Sequence, residues 1–139
     1  MTHPGDPATI RRLLTTRGRW AVVGLRDNRA RTAHRIARYL QTRLGQEIVP
    51  VHPAADRVHG EQGYARLADV PGRIDVVDVF VRSGLAGAVV DEAIEVGASA
   101  VWLQLGVVDE AAAARARDAG LDVVMDTCPA IEAPRLGLG

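Results

Sequence analysis

Arginines are concentrated in and after one short turn near the start of the chain. The stretch from Trp20 to Leu40, WAVVGLRDNRARTAHRIARYL, is typical of a buried strand, a turn that opens at Gly24 and an amphipathic helix. Only one acid, Asp27, opposes the five arginines of this stretch, which are Arg26, Arg29, Arg31, Arg35 and Arg38. The first amides of such a helix lack partners and its dipole favours negative charge, so the turn is predicted to bind a multiply charged anion such as phosphate.

The arginines of this region are assigned two different roles. Arg26 and Arg31 lie in the turn itself and are interpreted as ligand-binding residues. Arg35, Arg38 and Arg43 follow along the helix and are interpreted as a solvated face.

The glycine pattern of the turn excludes two familiar nucleotide sites. A dinucleotide fingerprint needs three glycines spaced G-x-G-x-x-G, but Gly24 is followed by Leu25 and Arg26. A Walker-type phosphate loop needs a lysine, and the chain has none. An ordinary NAD or ATP site is therefore not predicted.

Charge is distributed unevenly along the 139 residues, a length that suits a single domain burying about two thirds of its unfolded surface. The 17 arginines balance 17 acids, yet ten arginines and only one acid lie between Arg11 and Arg43. With aromatic residues at 4% and no recognisable nucleic-acid module, a compact polyanionic ligand is favoured over nucleic acid.

The remaining composition points to a cytoplasmic protein. Cys128 is the only cysteine, which excludes an internal disulfide and fits a reducing compartment. No run approaches the roughly 18 apolar residues of a membrane span, and the start MTHPGDPATI has no apolar signal core. The four histidines show no metal-ligand spacing, so no metal site and no membrane contact are expected.

Short apolar strands alternate with helices through the chain. Strands are predicted over 20–23, 47–51, 74–81, 100–106 and 121–127. Helices are predicted from a cap at Asp6 or Thr9 to about Gly18, from the arginine turn to Leu44, and over 84–96 and 110–119, with Asp109 as a cap. Residues 54–68 are predicted to be an irregular flap or crossover. This order predicts an α/β fold with a doubly wound, five-stranded, mostly parallel sheet and helices on both faces.

The carboxyl ends of such strands meet at one rim, where ligands bind. The rim residues comprise cations, a flat apolar residue and glycine turns, and they are Gly24, Leu25, Arg26, His52, Pro53, Phe80, Val81, Arg82, Gln104, Leu105, Gly106, Thr127 and Cys128. This set suits a nucleotide with several phosphates and a long neutral arm. No catalytic constellation is visible, which favours a binding protein over an enzyme.

Three rim or core residues have open interpretations. His52 either caps a turn before Pro53 or faces a phosphorylated ribose, since no acid is present there to bind ribose hydroxyls. Asp78, inside an apolar strand, is expected to bond backbone amides or an arginine. Cys128 is interpreted as a small residue closing the last strand, or as a rim thiol able to form a mixed disulfide with a thiol-bearing cofactor.

Five blocks of the sequence resemble the coenzyme A-binding domain family, the Rossmann-like single-domain proteins related to the nucleotide-binding part of succinyl-CoA synthetase alpha subunits. The blocks are AVVGLRD with Arg31 following, VPVHP, DVVDVF with Arg82 following, VWLQLGV and VVMDTCPAIE, and together they span about residues 19–132. The resemblance implies coenzyme A or an acyl-CoA as the ligand.

The same resemblance implies a role for each part of the rim. The first turn would hold the diphosphate, the second strand end would face the adenosine 3′-phosphate, and the third and fourth strand ends would line the path of the pantetheine arm. The residues implicated are Gly24, Leu25, Arg26, Arg31, Val51, His52, Pro53, Val79, Phe80, Arg82, Gln104 and Gly106.

This chain departs from the family pattern at three places. Relatives usually have Ser or Thr in place of Arg26, Asn in place of His52, and a Ser-Tyr pair in place of Ala33 and His34. Arg26 either replaces the lost hydroxyl as a charge-assisted donor or fills the site and reduces affinity.

Three functions are compatible with these observations. The first is non-catalytic binding of coenzyme A or an acyl-CoA, the second an accessory role in an acyl-CoA synthetase or ligase, and the third a redox sensor that binds NAD(P). Residues 1–18 are expected to form a helix that packs on the sheet, 19–133 the ligand-binding domain and 134–139 a C-terminal tail, frayed from Leu136 onward.

Overall fold

The computed structural model of the protein describes residues 5–139, so His3 and the first four residues of the predicted N-terminal unit lie outside the described part. One sheet contains β1 (Arg19–Val23), β2 (Glu47–Val51), β3 (Val76–Val79), β4 (Ala100–Leu103) and β5 (Asp122–Val124). The strand order is β2-β1-β3-β4-β5 and every neighbouring pair is parallel. The predicted five-stranded α/β fold is confirmed, with a sheet that is parallel throughout.

Five α-helices connect or flank the strands: α1 (Pro7–Thr15), α2 (Thr32–Thr42), α3 (Ser83–Glu95), α4 (Glu110–Asp118) and α5 (Pro129–Arg135). Two of the predicted caps are present, because the Asp6 carboxylate accepts from the Ala8 amide and the Asp109 carboxylate from the Ala112 amide. Among these helices of residues 5–139, none is long and apolar enough to cross a membrane.

The sheet has a separate hydrophobic core on each face. One core joins alternate strand residues such as Ala21, Val77 and Leu103 to the small side chains of α3 and α4. The other joins Trp20, Trp102 and their face of the sheet to α1, α2 and α5. The alternation arises because successive strand residues point to opposite faces. Helices therefore cover both faces, as predicted.

The strand order places a switch point between β1 and β3, because the chain runs outward to β2 on one side and to β4 and β5 on the other. A crevice forms outside the carboxyl ends of the strands at such a point. Gly24, which follows β1, and Phe80, which follows β3, stand on its two sides.

Strand β3 is shorter than the predicted 74–81, although the Asp75 backbone still bonds Arg19 and Ala100. The Asp75 carboxylate accepts from the Arg19 amide at 2.8 Å and pairs with Arg73 at 2.9 Å. Strands β4 and β5 likewise end three residues before the predicted positions. Apolar residues such as Phe80, Leu105 and Met125 follow β3, β4 and β5, so the sequence pattern overestimates the length of these strands.

Residues 52–75 cross from β2 to β3 without an α-helix, as the irregular pattern predicts. Tyr64 forms a parallel bridge with Val51, and Leu67 begins a short 3-10 helix, Leu67–Asp69. Val58 and Leu67 are buried, which anchors the crossover on both sides of the sheet.

The end of the chain differs from the expected frayed tail. Helix α5 extends to Arg135, and Leu136 and Leu138 pack against the core that contains Trp20. The Arg43 guanidinium also donates to the carbonyl of Gly139 at 3.3 Å. Leu136 and Leu138 are spaced so that both reach this core, and their contacts hold the end of the chain against it.

Candidate ligand-binding site

A small pocket lies where β1 turns toward α2. It has a volume of about 280 Å³ and is lined by Gly24, Ala30, Arg31, Thr32, Ala33 and Phe80, and we call it the turn pocket. Gly24 has a φ of 102°, and a Cβ at this position would meet the carbonyl of Phe80 closer than 3.0 Å. The turn therefore requires glycine both for its backbone angle and for the close approach of β3.

Backbone amides supply the polar surface of the turn pocket. Arg31 is the N-cap of α2, and within residues 5–139 the amides of Thr32 and Ala33 have no hydrogen-bond acceptor. The Arg31 side chain and the Thr32 hydroxyl also border the pocket. A helix N-terminus with free amides and a neighbouring guanidinium is suited to bind an anion.

A larger depression continues from the turn pocket across the rim. This rim groove has a volume of about 650 Å³, shares Thr32 and Phe80 with the turn pocket, and is otherwise lined by Arg35, Val81, Arg82, Gln104, Leu105, Gly106, Val107, Cys128, Ala130 and Ile131. Leu105 and Ile131 are 61% and 48% exposed although both are apolar. The groove thus combines polar groups at one end with apolar walls.

The charged side chains that line the two cavities are arginines. Arg31, Arg35 and Arg82 border them, and none of the three has an acidic partner among residues 5–139. No described carboxylate lines either cavity. Three uncompensated guanidinium groups create a positive field that favours a polyanion.

The predicted site residues divide into three groups in the structure. Gly24, Arg31, Phe80, Arg82, Gln104 and Gly106 line the turn pocket or the rim groove. Leu25, Val51 and Val79 have buried side chains within the two cores, so only their main chain is near the rim. Arg26, His52 and Pro53 lie at the same end of the sheet outside both linings.

His52 caps the turn that follows β2. Its Nδ1 accepts from the Ala54 amide at 3.0 Å, and its carbonyl accepts from the Ala55 amide at 2.7 Å. The first of the two interpretations is therefore realised. Because Nδ1 accepts, the neutral ring carries its proton on Nε2, which leaves a donor for a second partner.

Arg26 is engaged by the β2–β3 crossover. The Asp56 carboxylate lies 3.5 Å from the Arg26 Nε, and the same oxygen, Oδ2, accepts from the Asp27 amide at 2.9 Å. Both of these groups could otherwise bind a phosphate oxygen. The Asp56 carboxylate thus occupies a position on the outer side of the turn where a phosphate oxygen could otherwise bind.

Two histidines hold the crossover against α2. The His59 Nε2 donates to the carbonyl of His34 at 2.7 Å, and the two rings lie 4.2 Å apart. Burial, followed by the proximity of His59, lowers the pKa of His34 despite the Asp27 carboxylate at 3.5 Å. His34 is consequently neutral near pH 7 and adds no charge to this side of the turn.

The loop after β4 is braced by its neighbours. The Gly106 amide donates to the Asp126 carboxylate at 2.7 Å, and the Gly106 carbonyl accepts from the Ser83 hydroxyl at 3.3 Å. Both backbone groups of Gly106 are therefore used within the protein. Gly106 shapes the groove wall without offering a free amide to a ligand.

Asp78 lies beneath the groove with a partner that differs from the expected one. Its Oδ1 accepts from the Gln104 side-chain amide, whereas a backbone amide or an arginine was expected. The carboxylate is fully buried, and this burial raises its pKa to about 7, against the lowering effect of the Gln104 hydrogen bond. The expectation of a backbone amide or an arginine as partner is wrong, because Gln104, the residue after β4, brings a second polar side chain into the core.

Several groove residues escaped the sequence interpretation. Arg35 was assigned to a solvated face, but it lies one helical turn after Thr32 and borders the groove. Helix α5 contributes Ala130 and Ile131, which the sequence interpretation did not include, whereas Cys128 at its N-cap was among the predicted rim residues and lines the groove half-buried. The spacing of Thr32 and Arg35 was a usable signal, whereas the position of α5 depends on its packing against α2.

Two larger depressions and a smaller one of about 230 Å³ lie near the amino ends of the strands. One, of about 680 Å³, contains Arg19, Gln46, Glu47 and Asp75. Their polar groups are already paired: Arg19 with Glu47 at 3.4 Å, and Gln46 with the backbone of Gly18 and of α1. The other, of about 570 Å³, lies between α1 and α4. Within residues 5–139 no group of three side chains suited to a metal ion occurs.

The parallel sheet, its switch point and the glycine turn together define a Rossmann-like α/β protein with a crevice at the carboxyl ends of the strands. Residues 18–134 match the family described as CoA binding domain, and the chain therefore belongs to that family. The predicted family is confirmed.

Similar proteins occur in bacteria and archaea. The Bacillus subtilis (strain 168) protein described as uncharacterized protein YneT is 38% identical over 128 residues, which cover 92% of this chain and 93% of that protein. A hypothetical protein from Pyrococcus horikoshii OT3 has a solved structure with a TM-score of 0.88 at 34% identity, covering 98% of this chain and 97% of the other.

A larger enzyme shares the fold alone. The dinucleotide-forming acetyl-coenzyme A synthetase 1 of Ca. Korarchaeum cryptofilum aligns with a TM-score of 0.71 at 23% identity. The alignment covers 84% of this chain but 28% of the synthetase chain.

Proposed function

We propose that this protein binds coenzyme A or an acyl-CoA at the rim, without catalysing a reaction on it. The observation that carries the proposal is the continuity of the turn pocket with the rim groove through Thr32 and Phe80. One end offers unpaired cations and free amides, and the other offers apolar walls. A ligand with a diphosphate and a long, largely neutral arm matches both ends.

The diphosphate is assigned to the turn pocket. The amides of Thr32 and Ala33 and the guanidinium of Arg31 would donate to its oxygens, and the Thr32 hydroxyl would replace the hydroxyls that relatives carry one and two positions later. The free Nε2–H of His52, which lies beyond β2, is assigned to the adenosine 3′-phosphate. Arg26 has a secondary role because Asp56 already neutralises it.

The pantetheine arm is assigned to the rim groove. Phe80 and Val81 would contact the part of the arm nearest the diphosphate, and Leu105 and Ile131 would contact its far end. Exposed apolar side chains are stabilised when a ligand removes them from water, by about 25 cal/mol for each Å² of apolar surface. Membership of the CoA binding domain family supports the same ligand.

The direct test is isothermal titration calorimetry of the purified protein with coenzyme A, dephospho-coenzyme A and NADP. We expect preferential binding of coenzyme A, weaker binding when the 3′-phosphate is absent, and little binding of NADP. Tighter binding of NADP than of coenzyme A would contradict the proposal and favour the redox-sensor alternative.

Arg31→Ala is expected to weaken coenzyme A binding by roughly tenfold or more, because it removes a charge-assisted hydrogen bond worth about 1.5–3 kcal/mol. The matched control is Arg38→Ala on the same helix, since Arg38 bonds Gln41 and borders neither cavity. Equal affinities of the two variants for coenzyme A would contradict the assignment of the diphosphate to the turn pocket.

Asp56→Asn is expected to strengthen coenzyme A binding by roughly twofold to fivefold, because it removes a negative charge from Arg26 and from the turn while keeping an acceptor for the Asp27 amide. Asp69→Asn, an exposed acid in the same crossover, serves as the control for net charge. Weaker binding by the Asp56 variant alone would mean that Asp56 supports the turn instead of competing with the ligand.

A further inference from the structure

A carboxylate and an amide form an isolated polar pair under the rim groove. Asp78 stands in β3 between Val22 of β1 and Trp102 of β4, and it has no exposed surface. Gln104 follows β4 on the same face of the sheet, is 3% exposed and lines the groove. Buried polar groups are costly, so a pair kept in an apolar core calls for an explanation.

The direction of the hydrogen bond between Asp78 and Gln104 determines which atom of the Gln104 side-chain amide faces the groove. At pH 8, above its pKa of about 7, the Asp78 carboxylate is ionised and can only accept, so the Gln104 Nε2 must face it, which is the arrangement in the structure. The opposite rotamer would place the amide oxygen against the carboxylate. The Gln104 Oε1 is left without a partner in the described part of the chain, at the edge that lines the groove.

We propose that Asp78 is a positioning residue that holds the Gln104 amide with its oxygen toward the groove, where it accepts a hydrogen bond from an amide N–H of the ligand arm. The proposal rests on the proposed function, because it requires the arm of coenzyme A in the rim groove. It adds that the arm is recognised by a fixed acceptor and not only by apolar contact.

The surroundings of Gln104 make a single hydrogen bond selective. Val81, Leu105, Val107 and Ile131 line the same groove and offer no side-chain donor or acceptor. The charged side chains of the groove, Arg35 and Arg82, are both donors. Gln104 is therefore a side-chain acceptor that is held in one orientation in the groove. It selects a ligand arm that has an N–H donor opposite its oxygen.

The test compares coenzyme A with adenosine 3′,5′-bisphosphate, which lacks the arm, by calorimetry at pH 8. We expect Gln104→Met and Asp78→Val each to lower the selectivity for coenzyme A roughly fivefold, as expected for one hydrogen bond, and to leave the armless ligand unaffected. The double variant should lose no more than either single variant, because Asp78 acts through Gln104.

A rescue variant separates positioning from general support of the core. Asp78→Asn/Gln104→Glu exchanges the partners, so the new amide donates to the new carboxylate and a second carboxylate oxygen still faces the groove. We expect this variant to recover most of the selectivity for coenzyme A over adenosine 3′,5′-bisphosphate. Circular dichroism and thermal unfolding of all variants verify that they fold.

Two results would overturn the inference and leave the proposed function intact. One is unchanged selectivity in Gln104→Met, which would show that Gln104 does not accept a hydrogen bond from the ligand arm. The other is loss of selectivity in Gln104→Met but not in Asp78→Val, which would remove the positioning role. Failure of the wild-type protein to bind coenzyme A would overturn both proposals.

Discussion

Gly24→Ala is expected to destabilise the protein by about 3 kcal/mol or more and to disrupt the turn pocket. The residue has a φ of 102°, which costs an L-residue roughly 1–3 kcal/mol. The added Cβ would also collide with the backbone carbonyl of Phe80, which is held by the hydrogen bond from the Phe80 amide to Val23. Neither backbone can yield without separating β1 from β3.

Urea denaturation followed by circular dichroism measures this effect. Gly84→Ala is the matched control, because Gly84 lies in the first turn of α3 and an added Cβ there meets nothing within 4 Å. We expect the control to be neutral or more stable by up to about 1 kcal/mol, since alanine favours a helix. A Gly24 variant as stable as the control would show that the turn has another conformation.

Asp78→Asn is expected to stabilise the protein at pH 8 by a few kcal/mol relative to its effect at pH 4. The buried carboxyl has a pKa of about 7 in the fold against an ordinary value of 3.8. Between these values the folded state retains a proton that the unfolded state has released, so the stability of the wild type falls as the pH rises through this window. An uncharged amide does not incur this loss.

Chemical denaturation of the wild type and the variant at several pH values tests the sign and the window. The difference in free energy of unfolding should grow from about pH 4 to about pH 7 and then level off. Asp118→Asn, an exposed acid at the end of α4, controls for the loss of a surface carboxylate. A difference that is constant with pH would indicate that the Asp78 side chain is hydrated.

Local patterns predicted the elements that build the rim. Runs of valine and other apolar residues marked all five strands, and glycines marked several helix ends, because strand periodicity and backbone freedom are local properties. The residue after each strand was therefore predictable as a rim residue. Phe80 and Gln104 were identified on this basis, and Arg31 from its place in the arginine-rich turn.

Long-range packing decided which rim residues face a cavity. Leu25 belongs to the rim in sequence, but its side chain fills the core against α2. Arg26 stands in the turn, but an acid that follows it by thirty positions pairs with it. Neither outcome can be derived from spacing, since each depends on a segment that reaches the turn only after folding.

The sequence by itself determined the α/β class, the residues that meet at the carboxyl ends of the strands and the positive charge of the first turn. These follow from alternation, from parallel strands that end at one edge, and from local charge. The tertiary structure decided the shape of the groove, the partner of Asp78 and the contribution of α5. These depend on contacts between residues far apart in the chain, such as Asp78 and Gln104, which only strand pairing brings together.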